Sequence, residues 1–351
     1  MEERLRVGVV GLHEGATMLL ALRSSGLCRA IAGCDPDESK RQHAREINEE
    51  LRLFSALDEM LDGADLDLVC IYTPDSLHAA QIEQCMRAGM HVLCTKPLIN
   101  DPHQAARLLA VASETGKRLQ VGQSTRFYEP FQRQREHYLS GKLGDAEVID
   151  AHYNHRMDWY YTKSPWTISE THWAYLGLSH PIDYVRWYLG RIREVHAYGT
   201  VSELGKAYNM PTPDAIVVNL ISETGKIARV LGNYGFHELP KARALIEGFL
   251  MGSKGSSLAR YPDLRFTYHD ETGVEVEEDY HHSMAGYYYR HELKGMHYGE
   301  FCNCIDSFAA SIRSGEPNSP DLVEGIDTVL TMRAVVESLE TGKPTLVQTI
   351  G

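Results

Sequence analysis

The feature that most constrains this chain is the alternation, over its first third, of short apolar runs with segments of helical periodicity. Runs at Leu5 to Val10, Arg29 to Cys34, Leu66 to Tyr72, His91 to Cys94 and Arg118 to Gly122 read as short buried strands. Between them, Ser76 to Ala88 places Leu77, Ala80, Ile82, Cys85 and Met86 on one helix face. Asp101 to Thr115 carries Pro102 near its start, as helices tolerate. Repeated strand–helix–strand units build a parallel sheet covered on both faces. The expected fold class is therefore α/β, with a doubly wound parallel sheet over residues 1–125.

After about Arg126 the strands lengthen. Ala146 to Asn154, Val195 to Val201, Asp214 to Ser222, Ile227 to Tyr234 and Ala244 to Met251 predict a large, mostly antiparallel open sheet in a second α/β domain over 126–351. Helices are expected at Pro181 to Tyr188 and Tyr298 to Ser314. A last amphipathic helix, Asp321 to Thr341, ends in Gly342-Lys343-Pro344, a glycine cap followed by a proline stop, and is expected to pack back near the first domain.

The 351 residues exceed one typical core, in keeping with two domains. A net charge of -13 leaves no basic stripe to offset phosphate repulsion, which argues against a nucleic-acid partner. The seven cysteines form no Cys-x-x-Cys pair, so neither a disulfide framework nor structural zinc is expected. Histidines at 281, 282, 291 and 297 lack a carboxylate and histidine frame of ligand spacing, and no metal is expected. No segment reads as an export signal or a membrane span, so a cytoplasmic protein is expected.

Four strand ends carry the chemistry. Strand one runs into Gly8-Val9-Val10-Gly11-Leu12-His13-Glu14-Gly15-Ala16, a degraded Rossmann dinucleotide fingerprint with His13 and Ala16 at the second and third glycine positions. Gly11, Leu12 and His13 are the expected cofactor-loop residues. Asp35, 24 residues after Gly11, is placed to accept hydrogen bonds from an adenosine ribose, favouring NAD over NADP. Thr73-Pro74 and His78 fall at the same edge, and His78 reads equally as a cofactor contact or a capping residue. Lys96-Pro97 follows the fourth buried run, where an open parallel sheet binds its ligands, so Lys96 is expected in the cofactor crevice.

These motifs resemble, in order, those of the Gfo/Idh/MocA family of oxidoreductases. The resemblance rests on Gly8 to Gly11, Thr73-Pro74 with His78, Ala88 to Pro97, Arg126 to Pro130, Gly141 to Gly144, His180 to Trp187, Gly252 to Gly255 and Glu337 to Pro344. It implies a Rossmann domain and a second domain whose open sheet often forms a homodimer or homotetramer interface. It also implies oxidation or reduction of a secondary alcohol on a sugar, glycoside or cyclitol with NAD(P). Lys96 corresponds to the family's motif lysine and His180 to its active-site histidine, so both are expected to be catalytic. Leu176 stands where many relatives carry the aspartate that partners this histidine. His172 is the expected replacement, and Asp183, Arg126, Tyr160, Trp166 and Tyr175 are expected substrate contacts. Two alternatives are a glycoside hydrolase working by transient oxidation and elimination, and a non-catalytic sugar or NAD sensor.

Overall fold

The computed structural model describes residues 3–238, 244–280, 297 and 299–350. The chain divides into two compact units, Met1–Ser124 with Tyr287–Ile326, and Thr125–Gly286 with Asp327–Gly351. Helix Glu300–Ser314 belongs to the first unit, and the last helix, Leu322–Thr341, begins in the first and continues in the second.

In the first unit β1 (Leu5–Val10), β2 (Cys28–Cys34), β3 (Arg52–Phe54), β4 (Leu68–Ile71), β5 (His91–Thr95) and β6 (Leu119–Gly122) pair in parallel, in the order β3-β2-β1-β4-β5-β6. This order reverses direction between β1 and β4, which is where doubly wound sheets open a ligand crevice at their carboxyl ends. All four residues of β4 are buried, because helices cover both faces. Several elements went unanticipated. β3 is only three residues long, and helix Glu38–Ile47 is so polar that it buries Ala44 alone. Its start is nevertheless built, since Asp37 accepts a hydrogen bond from the Ser39 amide at 2.8 Å.

The second unit holds nine strands: β7 (Ala146–His155), β8 (Ile192–Thr200), β9 (Ala215–Ser222), β10 (Ile227–Asn233), β11 (Ala244–Gly252), β12 (Gly255–Tyr261), β13 (Arg265–Asp270), β14 (Glu275–Asp279) and β15 (Thr345–Leu346). Their order is β14-β13-β12-β11-β7-β10-β9-β8-β15. Among the described residues β7 and β10 form the one parallel pair. Helices Glu129–Leu139 and Ser179–Leu189 pack on one face, and Tyr198, Val217 and Phe249 stand exposed on strands of the same sheet. His281, His282 and His291 lie outside the described residues, whereas His297 pairs with Glu300 and sets its ring against Phe301. Among the described residues no three His, Cys, Asp or Glu side chains converge as metal ligands would, and no helix is long and apolar enough to cross a membrane.

Candidate active site

The first group of site residues gathers at the carboxyl ends of β1, β2, β4 and β5. Gly11 has φ +82°, and a Cβ there would lie 2.7 Å from the Tyr72 carbonyl, so only glycine fits between the two strand ends. The turn closes through Gly15 N to Gly11 O at 2.9 Å. Gly15 opens helix Gly15–Leu22, and a Cβ on it would sit 2.7 Å from Val9 Cγ1. Close packing of helix on strand, which the sequence pattern assigned to Ala16, therefore falls to Gly15. His13 is exposed, with its imidazole 3.7 Å from the Glu14 carboxylate.

Asp35 ties this turn to β2. Its Oδ2 accepts from the Leu12 amide at 2.8 Å and its Oδ1 from the Asp37 amide at 2.9 Å. Each carboxylate oxygen accepts more than one hydrogen bond, so the side chain can hold the turn and still receive ribose hydroxyls. Arg41 donates to the carbonyls of Asp35 and Pro36 at 2.7 and 2.9 Å. A glycine-tight turn, a helix start and a buried carboxylate at the second strand fit a dinucleotide. Asp35→Ala is expected to weaken NAD more than NADP, because it removes ribose acceptors together with the charge that repels a 2′-phosphate. Parallel titrations of both cofactors check this, and a wild-type preference for NADP would contradict it.

Lys96 follows β5 and is half-buried, joined to Pro97 by a cis peptide bond. Burial pushes its ammonium down to about 8, against the opposing pull of the Asp75 and Glu14 carboxylates. A lysine so poised holds its proton at neutral pH and yields it readily. Thr73 donates to Gln81 at 2.6 Å. His78, only 1% exposed, faces backbone carbonyls with both ring nitrogens, Nδ1 at 2.9 Å from Pro97 O and Nε2 at 2.9 Å from Thr73 O. The ring thus stands between two loops, and in the neutral form that burial favours, whichever nitrogen carries the proton donates to the carbonyl it faces.

The second group lies in the other unit. His180 sits in the first turn of helix Ser179–Leu189, 7% exposed, with the Tyr153 ring edge-on at 5.6 Å. Tyr153 was not singled out in the sequence. Its signal was there, since Tyr153 and His155 alternate onto one face of β7, and the Tyr153 hydroxyl lies 3.3 Å from His155 Nδ1. Leu176 packs into an apolar cluster with Met157, Tyr161, Trp173, Met210 and Tyr234, against which Tyr160 and Trp166 also lean. An aspartate there would have to bury a charge among aromatic rings, which explains the leucine.

His172 precedes the short helix Trp173–Leu176, and its Nδ1 accepts from the Ala174 amide at 2.9 Å. That bond places the remaining proton of the neutral ring on Nε2, leaving a donor. His172 thus caps the short helix through Nδ1 and presents Nε2–H as a donor. Arg126 and Asp183, both expected to contact substrate, pair with each other. The guanidinium meets both carboxylate oxygens, at 2.7 and 2.8 Å, with side chains 2% and 1% exposed. Arg126 also lies 5.3 Å from the Trp187 ring. The pair braces the helix that carries His180. Tyr175 is buried in the short helix beside it.

Burial lowers both His91 and His172 to about 4 from the ordinary 6.5. The unfolded chain therefore takes up these protons first, and stability present above about 6.5 is lost as pH falls towards 4, by up to about 1.4 kcal/mol per pH unit for each group. His172→Asn keeps a capping acceptor and removes one titration. Denaturant melts at neutral and mildly acidic pH should show a shallower acid loss in this variant, and an unchanged slope would contradict the assignment.

Two family models match the chain. One, described as oxidoreductase family, NAD-binding Rossmann fold, covers residues 5–123, and one, described as GFO/IDH/MocA C-terminal domain, covers 131–256. Inositol 2-dehydrogenase 1 of Saccharopolyspora erythraea is 26% identical, spanning 98% of this chain and 96% of its own length. Inositol 2-dehydrogenase of Leifsonia xyli is 32% identical over 46% of this chain and 48% of its own. Among solved structures, an oxidoreductase from Agrobacterium radiobacter in complex with NAD+, L-tartaric acid and magnesium superposes with TM-score 0.84 at 16% identity, covering 98% and 99% of the two chains. The scyllo-inositol dehydrogenase of Lactobacillus casei with bound NAD(H) and scyllo-inositol gives 0.79 at 19%, over 99% and 100%. At such identities the superpositions speak for the fold.

Proposed function

Because the chain belongs to the Gfo/Idh/MocA family of NAD-binding oxidoreductases, we propose that it oxidises a secondary hydroxyl of a cyclitol. The observation that carries this reading is Lys96, a half-buried lysine just past β5, where an open parallel sheet binds its ligands. The substrate class rests on full-length similarity to an inositol 2-dehydrogenase.

Bound NAD would supply the nicotinamide that accepts the hydride leaving the carbinol carbon. The cofactor is held by the Gly11–Leu12 turn, by Asp35 at the ribose and by the Thr73–Pro74 loop. His180 accepts the hydroxyl proton, and the Lys96 ammonium stabilises the alkoxide that develops. Tyr160, Trp166 and Tyr175 supply flat apolar walls and polar tips suited to a polyhydroxylated ring. His172 acts through the cap of the short helix. Arg126 and Asp183 act through each other, keeping the His180 helix in place. The exposed Tyr198, Val217 and Phe249 of the nine-stranded sheet serve a homodimer or homotetramer, which light scattering of the purified protein tests.

A second reading, a glycoside hydrolase that oxidises transiently, eliminates the aglycone and restores the cofactor, draws on His155, within reach of the Tyr153 hydroxyl, as a further proton acceptor beside His180. One screen separates the two. Cyclitols and free sugars with NAD should accumulate reduced nicotinamide, while glycosides should release no aglycone. Aglycone release with catalytic NAD and no net reduction would replace the first reading with the second.

A further inference from the structure

His78 is the first residue of helix His78–Arg87, entered from β4 through the turn Asp75–Leu77. Its ring is buried and spans two loops that the parallel sheet sets side by side. On one side Nε2 lies 2.9 Å from Thr73 O, in the loop after β4. On the other, Nδ1 lies 2.9 Å from Pro97 O and 3.2 Å from Leu98 O, in the loop after β5. Pro97 is bonded directly to Lys96. A second bridge crosses nearby, with Asn100 Nδ2 donating to Asp75 Oδ1 at 3.1 Å. Asp75 is also one of the two carboxylates acting on Lys96, the other being Glu14. The Lys96 loop is thus fastened on its C-terminal side at residues 97 and 98 to His78, at the start of the helix, and at residue 100 to Asp75 in the turn before it.

From this we infer that His78 is a positioning residue for Lys96, fixing the lysine against the cofactor loop through the Pro97 and Leu98 carbonyls. The inference rests on the catalytic role given to Lys96 above. A buried side chain that serves only the core would pack against apolar neighbours. Here the polar atoms span 19 and 20 residues of sequence to reach the backbone beside the lysine. Loss of the bridge frees the loop without touching substrate or cofactor. Displacements of a catalytic group by about 1 Å can cost on the order of a hundredfold in rate.

The test compares His78→Leu, His78→Gln and Lys96→Met with wild type, each checked for folding and for NAD affinity by titration. His78→Leu is expected to lower kcat by about tenfold to a hundredfold and to displace the alkaline limb of the pH profile, with KM for the cyclitol and NAD affinity within about threefold. His78→Gln, whose amide donates to one of the two loops, should recover part of the loss, and it carries the test if His78→Leu does not fold. If Lys96→Met is inactive while both His78 variants keep wild-type kcat and the alkaline limb, the inference is overturned and the reading of Lys96 stands. If Lys96→Met keeps normal turnover, the reading of Lys96 itself fails, and the inference with it.

Discussion

Lys96→Met is expected to lower turnover by at least about a hundredfold while leaving the fold and NAD affinity nearly intact. Methionine preserves an unbranched side chain of similar reach, so the loss isolates the charge. The ammonium is useful only while protonated, and burial lowers its pKa to about 8. Its contribution is therefore present below that value and lost as pH rises through it. Wild-type turnover should show an alkaline limb near 8, and any residual activity of the variant should lack it. Steady-state kinetics across pH, beside a cofactor titration, check both points. Near-normal turnover would remove Lys96 from the mechanism.

His180→Ala is expected to cost about a hundredfold to ten-thousandfold in kcat, the range for loss of a positioned general base. No carboxylate at position 176 shares its burden, because Leu176 is committed to the aromatic cluster around Trp173 and Tyr234. His172→Ala should be milder, removing a helix cap worth about 1 kcal/mol. His172→Asn, which restores the cap, should recover activity if capping is the whole of its role. Kinetics of the three variants, each checked for folding, decide the assignment. Full activity in His180→Ala would mean that the proton acceptor lies elsewhere.

The parallel sheet was legible because strands buried on both faces carry unbroken apolar runs, as in Leu68–Ile71. Helix Glu129–Leu139 was missed because it buries Gln134 and His137 beside Pro130 and Phe131, so its inner face does not read as apolar. Strands β12 to β14 escaped for a related reason. Their outward residues are mostly charged or polar, and Glu275–Asp279 in particular carries no apolar residue but Val276. At the site, short motifs gave Lys96 and the Gly11 turn, whose constraints are local. Partnerships across long separations were not readable from spacing. Arg126 meets Asp183 across 57 residues, and His78 meets the Lys96 loop across 19. The cap on His172 is local, yet it depends on which ring nitrogen faces the Ala174 amide, which residue identity alone does not fix.

The most direct measurement of the central claim is hydride transfer itself. The wild-type protein would be given NAD and a cyclitol deuterated at its carbinol carbons, with the reduced nicotinamide then examined for label. The account predicts reduced cofactor carrying deuterium, formed in proportion to a ketone product, with a slower rate than for the unlabelled cyclitol where transfer limits turnover. Reduced cofactor without label, or none with any cyclitol although NAD binds, would contradict it.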